Sequence, residues 1–106
     1  MANEDSGRVR ARLRDGVVTV KVLLKHPMET GSRKDPGTGE VLPQHFIREV
    51  VCEHNGTPVL TLEWGWGIAK NPYISFDIKE GKAGDLVTVR WTDNKGETAT
   101  VEGEVT

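Results

Sequence analysis

Apolar and polar side chains alternate with a period of two through most of this sequence, and no segment carries a helical-period stripe long enough for a helix. Such alternation builds half-buried β-strands. It is clearest in Val17–Leu24, where Val18, Val20, Val22 and Leu24 face one way and Val17, Thr19, Lys21 and Leu23 the other. The β-branched content suits a pleated, half-buried surface. The same reading predicts strands over Arg8–Arg14, His45–His54, Pro58–Trp64, Tyr73–Lys79, Asp85–Trp91 and Glu97–Val105. Their inward sets are Phe46, Val50 and Cys52; Leu60, Leu62 and Trp64; Ile74, Phe76 and Ile78; Val87, Val89 and Trp91; and Ala99, Val101 and Val105. Asp15-Gly16 and Asn55-Gly56 supply the positive φ angles of tight hairpin turns, and Asp93-Asn94-Lys95-Gly96 forms the last hairpin loop.

Seven short strands, each with one apolar face, fit two antiparallel sheets packed face to face. The expected fold is all-β, an immunoglobulin-like or fibronectin-like antiparallel β-sandwich. A small barrel is the alternative, because strand count alone does not separate the two. At 106 residues the chain makes one domain, expected over 8–106 behind a flexible 1–7 segment. A chain of this size buries roughly two-thirds of its unfolded surface, enough for one core. The only cysteine, Cys52, excludes an internal disulfide, a zinc ribbon and an iron–sulfur cluster. No apolar run approaches the ~20 residues of a membrane-spanning helix.

The net charge of −2 conceals a division. Arg8 to Lys34 holds eight basic and two acidic residues, whereas Asp35 to Thr106 holds six basic and twelve acidic. Arg8, Arg10, Arg12 and Arg14 alternate with Val9, Ala11 and Leu13, which describes a strand with one wet, basic face. One Tyr and two Phe offer little for base stacking, so a solvated or partner-facing strand is expected and nucleic acid is not.

Cys52 with His26, His45, His54 and Met28 invites a copper reading, since blue-copper sites use two His, one Cys and often Met. Yet Cys52 and His54 lie two apart on one predicted strand, and no late loop gathers Cys, His and Met. Cys52 reads instead as a small buried hydrophobe. Neither a nucleophile elbow, a phosphate-cradling glycine loop nor a carboxylate pair apart from solvated faces is evident. No catalytic residue, cofactor or metal is therefore expected. A stand-alone periplasmic copper-binding sandwich using Met28 and the histidines is the competing reading.

Two stretches stand apart from the strands. The connection from Lys25 to Pro43 is long for a compact domain and opens with His26-Pro27-Met28-Glu29-Thr30-Gly31. The second runs from Trp64 to Tyr73, where Trp66 sits between two glycines and Asn71-Pro72 reads as a turn. The run H-P-M-E-T-G at His26–Gly31, P-x-H-F-I at Pro43–Ile47, W-G at Trp64-Gly65 and K-N-P-Y-I-S-F at Lys70–Phe76 resembles the SoxZ family. That family is the small subunit of the SoxYZ sulfur-carrier complex of bacterial thiosulfate oxidation. The resemblance extends over roughly Val17 to Val105 and rests on the spacing of four motifs, while Cys52 and the Arg-rich first strand match no signature of the family.

The resemblance implies a non-catalytic sandwich subunit that forms a heterodimer with a SoxY-type carrier. SoxY bears sulfur intermediates on a cysteine in a Gly-rich C-terminal arm, a motif absent from this chain, so Cys52 is not given that role. Candidate interface residues are His26, Met28, Glu29, Thr30, His45, Phe46, Trp66, Asn71 and Tyr73, with Trp66, Met28 and Phe46 as anchors. Transient contact with other Sox enzymes follows, as does self-association of the isolated chain, with neither nucleic acid nor membrane as partner. The family works in the periplasm, and Met1–Gly7 has no leader character, so export bound to a signal-bearing partner is expected.

Overall fold

The computed structural model describes residues 6–106. It contains β1 (Gly7–Arg14), β2 (Val17–Leu24), β3 (Ile47–His54), β4 (Thr57–Glu63), β5 (Tyr73–Lys79), β6 (Leu86–Asp93) and β7 (Thr98–Glu104). The expected flexible segment falls mostly on residues 1–5, outside the described ones. Gly7 already belongs to β1, and the Ser6 carbonyl accepts from the Lys25 N–H.

Strands β1-β2-β5 form one antiparallel sheet and β4-β3-β6-β7 the other. The fourth strand pairs with the third, unlike a constant immunoglobulin domain, where it joins the sheet of the first two. Asp15 and Gly16, at φ 51° and 80°, and Asn55 and Gly56, at 49° and 84°, give the two tight hairpins that these dipeptides predict. Along one side the last residues step across to the first sheet. Val105 bridges Ala11 in parallel, the Thr106 N–H donates to the Ala11 carbonyl, and the Leu13 N–H donates to the Thr106 carbonyl. Gly103 permits this approach, since a Cβ there would lie 2.7 Å from the Val9 carbonyl oxygen. No backbone pairing joins β4 to β5 on the opposite side, so the molecule is a sandwich and not a closed barrel.

The core follows the alternation. Val18, Val20, Val22 and Leu24 of β2 meet Val50 and Cys52 of β3 and Val87 and Val89 of β6, all without solvent exposure. One sequence expectation is corrected at the start of β3. His45 lies before the strand, and Ile47 occupies the buried position expected of Phe46, which is half-buried against the core. The cause is a bulge: the β3–β6 register shifts between Ile47 and Glu49, leaving Arg48 without a partner on β6 and reversing the alternation ahead of it. A second bulge between Cys52 and Glu53 skips Val59 on edge strand β4.

Burial pushes the Cys52 thiol up to about 11. At pH 8 such a thiol is thiolate to about one part in a thousand, against roughly one in four for an ordinary cysteine. Iodoacetamide should therefore modify the native protein at least ~100-fold more slowly than the protein in denaturant. Comparable rates would place Cys52 at the surface.

Candidate functional site

Antiparallel pairing gathers the two irregular stretches and the last hairpin at one end of the sandwich. Directly after β2, the His26 N–H donates to Asn71 Oδ1 at 3.1 Å, and the Asn71 N–H returns a bond to the His26 carbonyl at 3.1 Å. Asn71 adopts φ 52°, a conformation that asparagine tolerates, and the next carbonyl, from Pro72, accepts from Leu24. The 25–46 connection is not structureless. Glu29 and His45 exchange two backbone hydrogen bonds, and Lys34 bridges Val41, so the segment folds back on itself as an irregular hairpin arm. Arg33 reaches Glu29 Oε2 at 3.1 Å on the surface of this arm and holds that carboxyl below its usual range.

Asp93 lies beneath the arm. Strand β6 turns Val87, Val89 and Trp91 inward, and one further step of the alternation buries Asp93, only 1% exposed. His26 Nε2 approaches Asp93 Oδ2 at 3.1 Å and His45 Nε2 approaches the same oxygen at 2.7 Å. Oδ1 accepts from the backbone N–H groups of Lys95 and Glu97 at 3.0 and 2.9 Å. Burial alone would raise this carboxyl, but the donors from His26, Glu97, His45 and Lys95 outweigh it and hold Asp93 below its ordinary value. The next residue extends the joint: Asn94 accepts from the Phe46 N–H and donates to the Gln44 carbonyl.

The tautomer of His26 follows from its neighbours. The Met28 N–H points at His26 Nδ1 at 3.1 Å and can only donate, so Nδ1 accepts and Nε2 carries the proton given to Asp93. Burial lowers the His26 pKa and the Asp93 hydrogen bond only partly opposes it, so the ring is neutral. It stands edge-on to Trp91 at 5.0 Å and to His45 at 4.4 Å. Met28, at φ 49°, is buried with its sulfur accepting the Ile47 N–H at 3.3 Å.

His26, His45 and Asp93 bring three potential ligand atoms within 4.8 Å of one another. A metal on His26 Nε2 would require the proton to move to Nδ1, where it would confront the Met28 N–H. The donor set therefore fits a hydrogen-bonded latch better than a metal, and the engaged Met28 sulfur does not favour copper.

The remaining predicted residues divide by exposure. Trp66 and Tyr73 are exposed at 59% and 60%, and Val41 stands out on the arm at 55%. Thr30 bonds Ser32 on the surface, Glu29 is occupied by Arg33, and Asn71 is exposed while its amide oxygen braces His26. His26 and Met28 lie inside this chain and Phe46 half inside, so they shape the platform while the aromatic pair presents it. Asp93 is the residue that sequence reasoning assigned only to a turn; its signal was the alternation continued past Trp91.

The arrangement defines an all-β sandwich with one elaborated end, its motif-bearing loops pinned from inside and aromatic side chains left outside. The family model described as "Sulphur oxidation protein SoxZ" matches residues 8–104. The chain belongs to the SoxZ family, and its role lies in sulfur oxidation. No curated protein matches it.

Two measurements probe the latch. Asp93→Asn replaces an acceptor of four N–H bonds with a group that must turn its NH2 toward two of them, and should lower stability by about 3 kcal/mol in denaturant unfolding. The second is the pH dependence. His26 is lowered on folding from an ordinary value of 6.5, so the unfolded chain takes up its proton first as pH falls. The stability present above that value should decline as pH drops below it, with a further loss under pH 4 as Asp93 protonates. Melting curves from pH 7.5 to 5 should show this decline in wild type and a shallower one in His26→Gln; equal slopes would contradict the buried neutral assignment.

Proposed function

We propose that this chain is the non-catalytic subunit of a SoxYZ-type sulfur carrier. It pairs with a SoxY-type subunit whose C-terminal cysteine holds the sulfur intermediates, and presents that subunit to the Sox enzymes in the periplasm. The observation that carries this reading is the convergence of all four family motifs on one end of the sandwich. There the His26–Asp93–His45 latch fixes the loops, and Trp66, Tyr73 and Val41 project outward. Exposed aromatic side chains on a rigid support are what a hetero-interface uses as anchors. The sealed, high-pKa Cys52 accords with a carrier thiol on the companion subunit. Export would follow from binding that companion.

Size-exclusion chromatography of the chain mixed with a SoxY-type subunit should give one heterodimer peak at micromolar concentration. Trp66→Ala should weaken the pair by roughly ten- to a hundredfold, the loss typical of an interface anchor. Separate elution of the wild-type proteins would remove the proposal, and unchanged affinity of the variant would move the interface elsewhere.

A further inference from the structure

The outer face of the β1-β2-β5 sheet runs from the motif-bearing end, where Arg8, Leu23 and Tyr73 lie in register, to Arg14 at the other end, and carries an unusual charge arrangement. Arg8, Arg10, Arg12 and Arg14 are all exposed on edge strand β1. Register sets Lys21 directly opposite Arg10, a like-charge cross-strand pair that disfavours the sheet. Among the described residues none of these five cations forms an ion pair or a side-chain hydrogen bond, although the chain holds sixteen acidic residues. These exposed arginines are solvated and leave their guanidinium groups free of partners among the described residues.

A depression of about 650 Å³ runs along this face, lined by Arg10, Arg12, Arg14, Thr19, Lys21 and Glu104 among others. It is too large for one small oxyanion. Alternate residues of a strand repeat every ~6.8 Å, so the four arginines leave the backbone of β1 at regular intervals over about 20 Å. The same repeat separates alternate side chains of any extended peptide. The outer edge of β1 is already hydrogen-bonded to Thr106 near Ala11 and Leu13, which leaves the side-chain face, rather than strand addition, as the means of recognition. The opposite sheet does not supply a matching row for a second copy. Its outer carboxylates lie on several strands and not in a row along one of them: Glu49 stands opposite Glu63 across β3 and β4, and Arg90 engages Glu53 at 3.5 Å.

We propose that the arginine face of β1 is a docking surface for an extended acidic segment of a partner protein, with Asp or Glu at alternate positions. Each carboxylate meets one arginine through a forked pair of N–H···O bonds, a geometry that lysine would not give. Neighbouring Lys21 and Lys79 add attraction without register, offset in part by Asp77 opposite Thr19 on β5. The face therefore stays net basic, with the arginines of β1 as its core, and speeds encounter as well as choosing sequence spacing.

The test uses the full chain and two synthetic ten-residue peptides of one composition, the first with Glu at every second position, the second with Glu in one block. The alternating peptide should bind at 50 mM salt, shift amide resonances of β1 and β2 selectively, and weaken steeply by 200 mM salt. Arg10→Gln with Arg12→Gln should reduce its binding roughly tenfold, while Lys34→Gln with Lys95→Gln leaves it within about twofold. All four positions are exposed, and melting curves confirm that the variants fold. Equal binding of both peptides, or resonance shifts elsewhere, would overturn the proposal. Tighter binding of a poly-dT oligonucleotide or of anionic vesicles would overturn it in favour of nucleic acid or membrane. A concentration-dependent dimer abolished by the Arg10/Arg12 variant would assign the face to a second copy instead.

Discussion

One buried carboxylate organises the elaborated end of this sandwich. Asp93 accepts from two histidine rings that belong to opposite ends of the long connection and from two N–H groups of its own hairpin. A buried ion is tolerated only when its lone pairs are engaged, and here two oxygens meet four donors. Removing any one donor leaves the others facing an under-satisfied anion. This coupling lets a loop rich in proline and glycine hold one shape without a disulfide, and it also fixes the proton on His26.

Position decides the separation of roles within the motif residues. His26 and Met28 are enclosed by their own chain, and Trp66 and Tyr73 are not. A family signature thus mixes side chains that build a platform with side chains that meet a partner, and only burial tells them apart. The same distinction applies to Cys52. Enclosure among valines raises its pKa and closes access, so the one thiol of a sulfur-oxidation protein serves as core filler. The charge division shows in the fold as well: β1 and β2 carry four arginines and Lys21 on one outer face, while twelve of the sixteen acidic residues lie from Asp35 onward.

Most of the fold was legible because a period of two is a local property. Each strand declares its inward face through its own residues, and the hairpin dipeptides declare the joins. Tyr73–Lys79 and Val17–Leu24 coincide with β5 and β2 to the residue. Reading fails where an extra residue intrudes. Ahead of the Arg48 bulge the inward parity reverses, so Ile47 and not Phe46 enters the core, and no local pattern announces an unpaired position. The His26–Asp93–His45 cluster was half visible: the histidines lay in motifs and Asp93 in an alternation, but they stand 67 and 48 residues apart.

The linear order of residues determined the strands, their inward faces, the two tight turns and the family, because each of these depends on neighbours along the chain. Sheet pairing, the bulges, the proton on His26 and the gathering of four motifs at one end depend on contacts across the sandwich. Only the folded molecule could decide them, since hydrogen-bond partners tens of residues apart are chosen by packing and not by sequence proximity.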